Sequence, residues 1–229
     1  MVTSITAAQR SILSELERQY FSAADRSLAS LRKIRKAINR RLRDVNGKTV
    51  IQIAEVLIEK RRMAQWFIFE VIHHHHDAMS KLNAANLKRL GQHLSGWGEV
   101  DPFACYLCGP AWREHQISDK QVLQWVNSKN IWWRRTALVS TVALNNKARG
   151  GKGDWQRTIL ICEKLKADRE DMVVKALSWA LRELVKHYPK QLLTYLTDNK
   201  DVLPTRVFRE VNNKLETGLK NPRNKANCK

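Results

Sequence analysis

The chain is poor in the residues that interrupt helices. Only 9 of its 229 residues are glycine and 5 are proline. Alternating runs of Val, Ile and Thr are nearly absent, which excludes a sheet-based architecture. Four scattered cysteines, Cys105, Cys108, Cys162 and Cys228, are too few for a disulfide scaffold, so thiols in a reduced setting are expected. No apolar stretch approaches the roughly 20 residues that cross a bilayer. Met1-Val2-Thr3-Ser4 runs into a helical pattern without a signal-peptide profile, and a cytoplasmic location follows, at the nucleoid if the source is bacterial. Acidic residues are also scarce. There are 22 Asp and Glu against 41 Lys and Arg, a formal net charge of +19.

That charge narrows the partner classes. A chain this basic repels itself, and a polyanion relieves the repulsion. Nucleic acid is the first expectation, an acidic membrane surface the second, and a merely soluble basic surface the third. Hydrophobic residues make up 43% of the chain, enough for a folded core.

Helical periodicity fills most of the length. It predicts helices near 5–20, 23–43, 48–60, 62–77, 83–94, 102–109, 118–127, 131–145, 154–167, 170–187, 189–197 and 204–218. Breaks are expected at Asn46-Gly47, Gly96 to Gly98, Gly109-Pro110, Gly150 to Gly153, Tyr188-Pro189 and Leu203-Pro204. Short helices joined by tight turns point to stacked antiparallel pairs in an all-α, HEAT-like helical-repeat solenoid, curved and with a basic concave face. One domain over 1–219 and a polar tail over 220–229 are expected. A non-repeating helical bundle is the alternative.

Two helix faces carry more than core. In 170–187, Val173, Ala176, Leu177, Ala180, Leu181 and Leu184 share one side. Trp179 falls away from it, beside Lys175, Arg182 and Lys186. An aromatic ring among cations suits a sugar or base flanked by phosphates. Packing under arginine and lysine stems suits it too. In 131–145, Ile131, Leu138 and Val142 form a stripe interrupted by Arg135. That arginine needs an anion, either a buried carboxylate or a phosphate. Trp132 and Trp133 open the same helix as structural residues.

Gly96-Trp97-Gly98-Glu99-Val100-Asp101-Pro102 reads as a loop entering a helix, with Asp101 as N-cap and Pro102 in the first turn. The basic stretch Asn145 to Asp154 lacks the P-loop pattern. It reads as a flexible loop in which Lys147, Arg149 and Lys152 either meet phosphate or stay solvated. Cys105 and Cys108 have CxxC spacing without a second pair. His73 and His76 are spaced to share a metal, but a solvated or base-contacting helix end explains them as well. No metal and no cofactor are expected. Arg32, Lys33, Arg35, Lys36, Arg40, Arg41 and Arg43 form a candidate backbone track.

Three stretches together resemble the DNA alkylation repair family, the AlkD-like glycosylases built on HEAT-like repeats. They are Trp97-Gly98-Glu99-Val100-Asp101, Asn130-Ile131-Trp132-Trp133-Arg134-Arg135-Thr136-Ala137, and Val173 through Glu183 around Trp179. Their order and spacing agree over about 95 to 215. Over the first 90 residues only the helical pattern does. The chain departs from the family in having Gly96 and Gly98 where a second bulky residue often stands, and in a longer 145–154 turn. The resemblance implies that Asp101 is the catalytic carboxylate, that Trp97 and Trp179 flank a lesion's deoxyribose, and that Arg135 meets the backbone. It further implies a monofunctional glycosylase, acting as a monomer on double-stranded DNA to remove positively charged N3- or N7-alkylated purines without inserting the base in a pocket. Some family members bind branched DNA without excision, so a non-catalytic binder of damaged or branched DNA is the alternative. A scaffold for acidic proteins is a third reading.

Overall fold

Residues 5–222 are described by a computed structural model, and all of their regular structure is helical. Cys228 and most of the polar tail lie outside the described residues. The chain divides into two compact units, Met1–Ser118 and Asp119–Lys229.

The first unit contains α1 (Ala7–Phe21), α2 (Leu28–Leu42), α3 (Gly47–Lys60), α4 (Gln65–His73), α5 (His76–Lys81), α6 (Ala84–Leu90), α7 (Trp97–Phe103), a π-helical turn (Ala104–Cys108) and α8 (Gly109–Arg113). Side-chain caps begin several of these: Thr6 for α1, Ser27 for α2, Asn46 for α3 and Asn83 for α6. The close approach of α3 to α5 requires Gly47. A Cβ there would overlap the Asp77 backbone, and Asp77 Oδ2 accepts from Gly47 N at 2.6 Å.

The second unit contains α9 (Asp119–Val126), α10 (Ile131–Asn145), a 3₁₀ turn (Lys147–Arg149), α11 (Trp155–Leu165), α12 (Asp171–Leu184), α13 (Pro189–Asp198) and α14 (Thr205–Thr217). Here α10 packs on α12 and α12 on α14, while α9, α11 and α13 lie against them as the first members of each pair. That layering is a helical repeat. It appears in the side-chain bonds of both units, many of which join residues 31 to 38 apart: Asn86 to Glu55, Asn39 to Val71 and His73 to Tyr106 in the first, Arg134 to Asp168, Asn146 to Glu183 and Ser178 to Glu210 in the second. Each reaches from one helical pair to the next.

The expected core stripe of α12 is fully buried, and Val174 and Ser178 are buried as well, because α10 and α14 cover two sides of the helix. α10 is more enclosed than its single stripe suggests. Every residue from Arg135 to Asn145 is buried. Its polar side chains are satisfied internally: Thr136, Ser140 and Thr141 donate to carbonyls one turn back, and Asn145 donates to Thr141 O and Thr158 Oγ1.

One expected break is displaced and another is absent, the first because the chain leaves α6 at Leu90 and re-enters helix at Trp97. Of the loop expected over 96–101, all but Gly96 is helix, because α7 starts at Trp97 with Gly96 as N-cap. Asp101 lies inside that helix and is not a cap. The break expected at Gly109-Pro110 is missing, since helical backbone runs from Trp97 to Arg113. Pro110 removes the N–H that would serve the Tyr106 carbonyl four residues back. His73 Nδ1 donates to that carbonyl instead, at 3.0 Å, and its ring stacks on Tyr106 with centroids 4.9 Å apart. Conversely, the helix expected over 62–77 divides at His74. His75 caps α5, its Nδ1 accepting from Ala78 N and its Nε2 donating to Leu42 O. His73 and His75 thus have structural partners. Among the described residues no three His, Cys, Asp or Glu side chains form a metal-binding group.

Candidate nucleic-acid interface

In the first unit, Trp97 and Asp101 sit one turn apart on α7 and therefore share a helix face. Trp97 is 61% exposed, the most exposed large hydrophobic side chain described, and Asp101 is half-buried. An indole left in water at such a level is unexplained by packing. The start of α7 is pinned by a residue that the sequence reading leaves unassigned. Glu99 Oε2 accepts from Ser95 N at 3.0 Å and Ser95 Oγ at 3.2 Å, while Gln65 Nε2 of α4 reaches both Glu99 Oε1 and His93 O. Behind Asp101, Phe103 is fully buried, with its ring 5.2 Å from Phe69 of α4. α7 therefore presents Trp97 and Asp101 from a backbone held at its start and packed beneath.

In the second unit, Trp179 is half-buried on α12. Its Nε1 donates to Glu183 Oε1 at 3.0 Å, and Asn146 Nδ2 donates to Glu183 Oε2 at 3.1 Å. Glu183 therefore fixes the indole and ties it to the end of α10. The helical wheel holds the signal for it, a carboxylate four residues after Trp179. Asn146 shows no such signal, because its contact joins different helical pairs.

The cations beside Trp179 differ in their freedom. Lys175 Nζ is 2.7 Å from Asp171 Oδ2, and Arg182 Nε donates to Ser178 O and Oγ at 3.2 Å. Burial lowers the Arg182 pKa, against the opposing charges of Glu210 and Glu183. Burial alone would raise the Glu210 carboxyl, but hydrogen bonds from Ser178 and Arg206 and the Lys220 charge outweigh it and hold the group below its ordinary value. Lys186 is exposed.

Arg135 is only 6% exposed, and its Nη1 donates to Met172 O at 2.6 Å. This contact fastens α10 to the start of α12. Arg134 makes a parallel attachment, bonding Asp168 Oδ2 at 2.8 Å and Ser128 O at 2.9 Å.

The basic turn after α10 is built more tightly than a flexible loop. Lys147–Arg149 form the 3₁₀ turn, Gly150 takes the left-handed conformation at φ 82°, and Gly153 N donates to Leu144 O. Asp154 N donates to Asn145 Oδ1, and His187 Nε2 donates to Asn145 O. On this frame Lys147 and Lys152 are exposed, and Arg149 is half-buried. Cys105, Cys108 and Cys162 are buried thiols, and burial pushes the Cys108 pKa well up.

No helix among the described residues is long and apolar enough to cross a membrane. No curated protein matches the chain. A family model described as DNA alkylation repair enzyme matches residues 13–215, which includes both candidate faces and most of the first unit, and the chain belongs to that family.

Proposed function

We propose that the protein is a monofunctional DNA glycosylase that hydrolyses the N-glycosidic bond of cationic N3- or N7-alkylated purines in double-stranded DNA, the first step of base excision repair. The observation that carries this reading is the exposed Trp97 one turn from Asp101, in a chain of the DNA alkylation repair family. HEAT-like repeats would supply the scaffold and monomeric action the stoichiometry.

The chemistry follows from the lesion. An alkylated purine already carries positive charge, so its C1′–N bond needs no strong acid to break. The bonding pair leaves with the base, which becomes neutral, and the sugar becomes an oxocarbenium-like cation. Asp101 stabilises that cation electrostatically and orients the water whose oxygen bonds to C1′, the water's surplus proton passing to bulk solvent. The indole of Trp97 contacts the deoxyribose, where its ring face favours a cationic sugar. The second unit offers Trp179 to a sugar, and Lys147, Arg149, Lys152 and Lys186 to phosphates. Lys175 and Arg182 contribute charge while remaining bonded within α12. Arg135 resembles the family's backbone-contacting arginine, and would serve the DNA backbone from the second unit while its Nη1 holds the Met172 carbonyl.

The test is release of free 7-methylguanine and 3-methyladenine from methylated duplex DNA, with an abasic site left in an unbroken strand. Release of both bases by the wild-type chain is expected. Tight duplex binding with neither base released would replace this reading with a non-catalytic binder of damaged or branched DNA.

A further inference from the structure

Seven cations crowd α2 and its C-terminal end, but they do not form one uniform track. Lys33, Lys36, Arg40, Arg41 and Arg43 are exposed, whereas Arg32 is half-buried and Arg35 is only 8% exposed. Both inward arginines meet Glu70 of α4, itself buried. Arg32 Nε and Nη2 donate to Glu70 Oε1 at 3.1 and 2.9 Å. Arg35 Nε stands 3.5 Å from Glu70 Oε2, and neither atom has a hydrogen-bond partner. One carboxylate therefore faces two guanidinium groups, leaving a surplus positive charge and a buried Arg35 Nε without a hydrogen-bond partner. Such an arrangement costs stability unless an anion completes it.

His74 is exposed at the end of α4, with its ring centroid 5.0 Å from that of His73, whose own ring stacks on Tyr106. Partial burial and the charges of Arg35, His73 and Arg32 lower the His74 pKa, and Glu70 opposes them. Tyr106, stacked on His73, also bears on Arg32, whose pKa is raised first by its bond to Glu70 and then in part by Tyr106.

We propose that Arg35, Arg32 and His74 form a phosphate-binding site on the first unit, filled by a backbone phosphodiester of DNA. The site deepens the DNA-binding reading above and rests on it. Guanidinium forks fit phosphate oxygens, which neither an aromatic base nor a neutral sugar offers. Burial first, and then the charges of Arg35, His73 and Arg32, lower the His74 pKa; a bound phosphate opposes those positive charges, so binding should raise that pKa and favour proton uptake by His74. Affinity at this site therefore rises as pH falls through the His74 range. The charged and titratable groups facing it are Arg32 and Arg35 from α2, Glu70 and His73 from α4, and Tyr106 from the π turn.

The test measures duplex affinity against salt for the full chain and for Arg35→Gln, together with the His74 ring titration by NMR, assigned with His74→Gln. In wild type, duplex DNA should raise the His74 midpoint by roughly one pH unit. In Arg35→Gln that rise should vanish, and the log–log salt slope should fall by about 0.9, the loss of one phosphate contact. An unchanged slope with His74 unmoved by DNA overturns the site and leaves DNA binding intact. If the chain binds no duplex, the DNA-binding reading fails instead, and inorganic phosphate becomes the probe. A rise in the His74 midpoint that Arg35→Gln abolishes then supports a phosphate site, and no rise overturns it. If Arg35→Gln fails to fold, the R35Q/E70Q double variant, which removes both buried charges of the pair, takes its place.

Discussion

Replacing Asp101 with asparagine should reduce single-turnover release of 7-methylguanine by roughly a hundred- to a thousandfold, the usual loss when one preorganised electrostatic group is removed. Duplex affinity should stay within about threefold of wild type, since phosphate contacts supply most of it. The two readouts separate because the carboxylate acts on charge that develops only at the transition state. Asparagine keeps the shape of the side chain and removes its charge. Asp101 is half-buried inside α7 and does not cap the helix, so the change leaves the start of α7 as it is. Under a helix-cap role the outcome would be reversed, with stability lost and turnover preserved. Equal turnover in the two proteins would sink the assigned role.

Phe103→Ala should destabilise the first unit by about 3–5 kcal/mol, read as a lower urea midpoint with little change in slope. Phe103 is fully buried, and its ring packs against Phe69. Removing it leaves a cavity that the close-packed α4 and π turn cannot fill. A loss of this size is a large fraction of ordinary domain stability. Trp97 stands six residues earlier on the same helix and supplies the contrast. Being 61% exposed, it should tolerate alanine within about 0.5 kcal/mol. One helix thus carries a side chain retained for the fold and another with no packing reason to be there. A stability loss in Trp97→Ala as large as that in Phe103→Ala would remove the reason for reading Trp97 as a ligand contact.

Helix type was legible wherever the evidence was local. The span 131–145 matches α10 at both ends, and the apolar stripe of α12 is buried as its spacing predicts. The local signals mislead at Gly98, at Gly109-Pro110 and at His75. Gly98 and Gly109-Pro110 read as breaks, yet helical backbone continues from 97 to 113. His73 supplies the donor that Pro110 lacks, and it does so from another helical pair. The reverse error came at His75, where an imidazole caps α5 and ends a periodic run. The repeat itself was invisible as sequence identity and becomes visible in side-chain bonds spanning 31 to 38 residues. The family motifs were readable only beyond about residue 95, whereas the family match begins at residue 13. A helix scaffold retains its pattern of buried positions after individual residues have changed. In the candidate site, Trp97 and Trp179 were legible as aromatics, and Asp101 only through the family pattern. Glu99 and Glu183, which hold the turns around them, came from the geometry.

The central claim concerns charge at the sugar, and a duplex carrying a cationic azasugar in place of one nucleotide tests it directly against the same duplex with a neutral tetrahydrofuran abasic site. Wild type should bind the cationic duplex at least a hundredfold more tightly, as expected for a transition-state mimic, and Asp101→Asn should lose most of that preference. Equal affinity of wild type for the two duplexes would contradict the account.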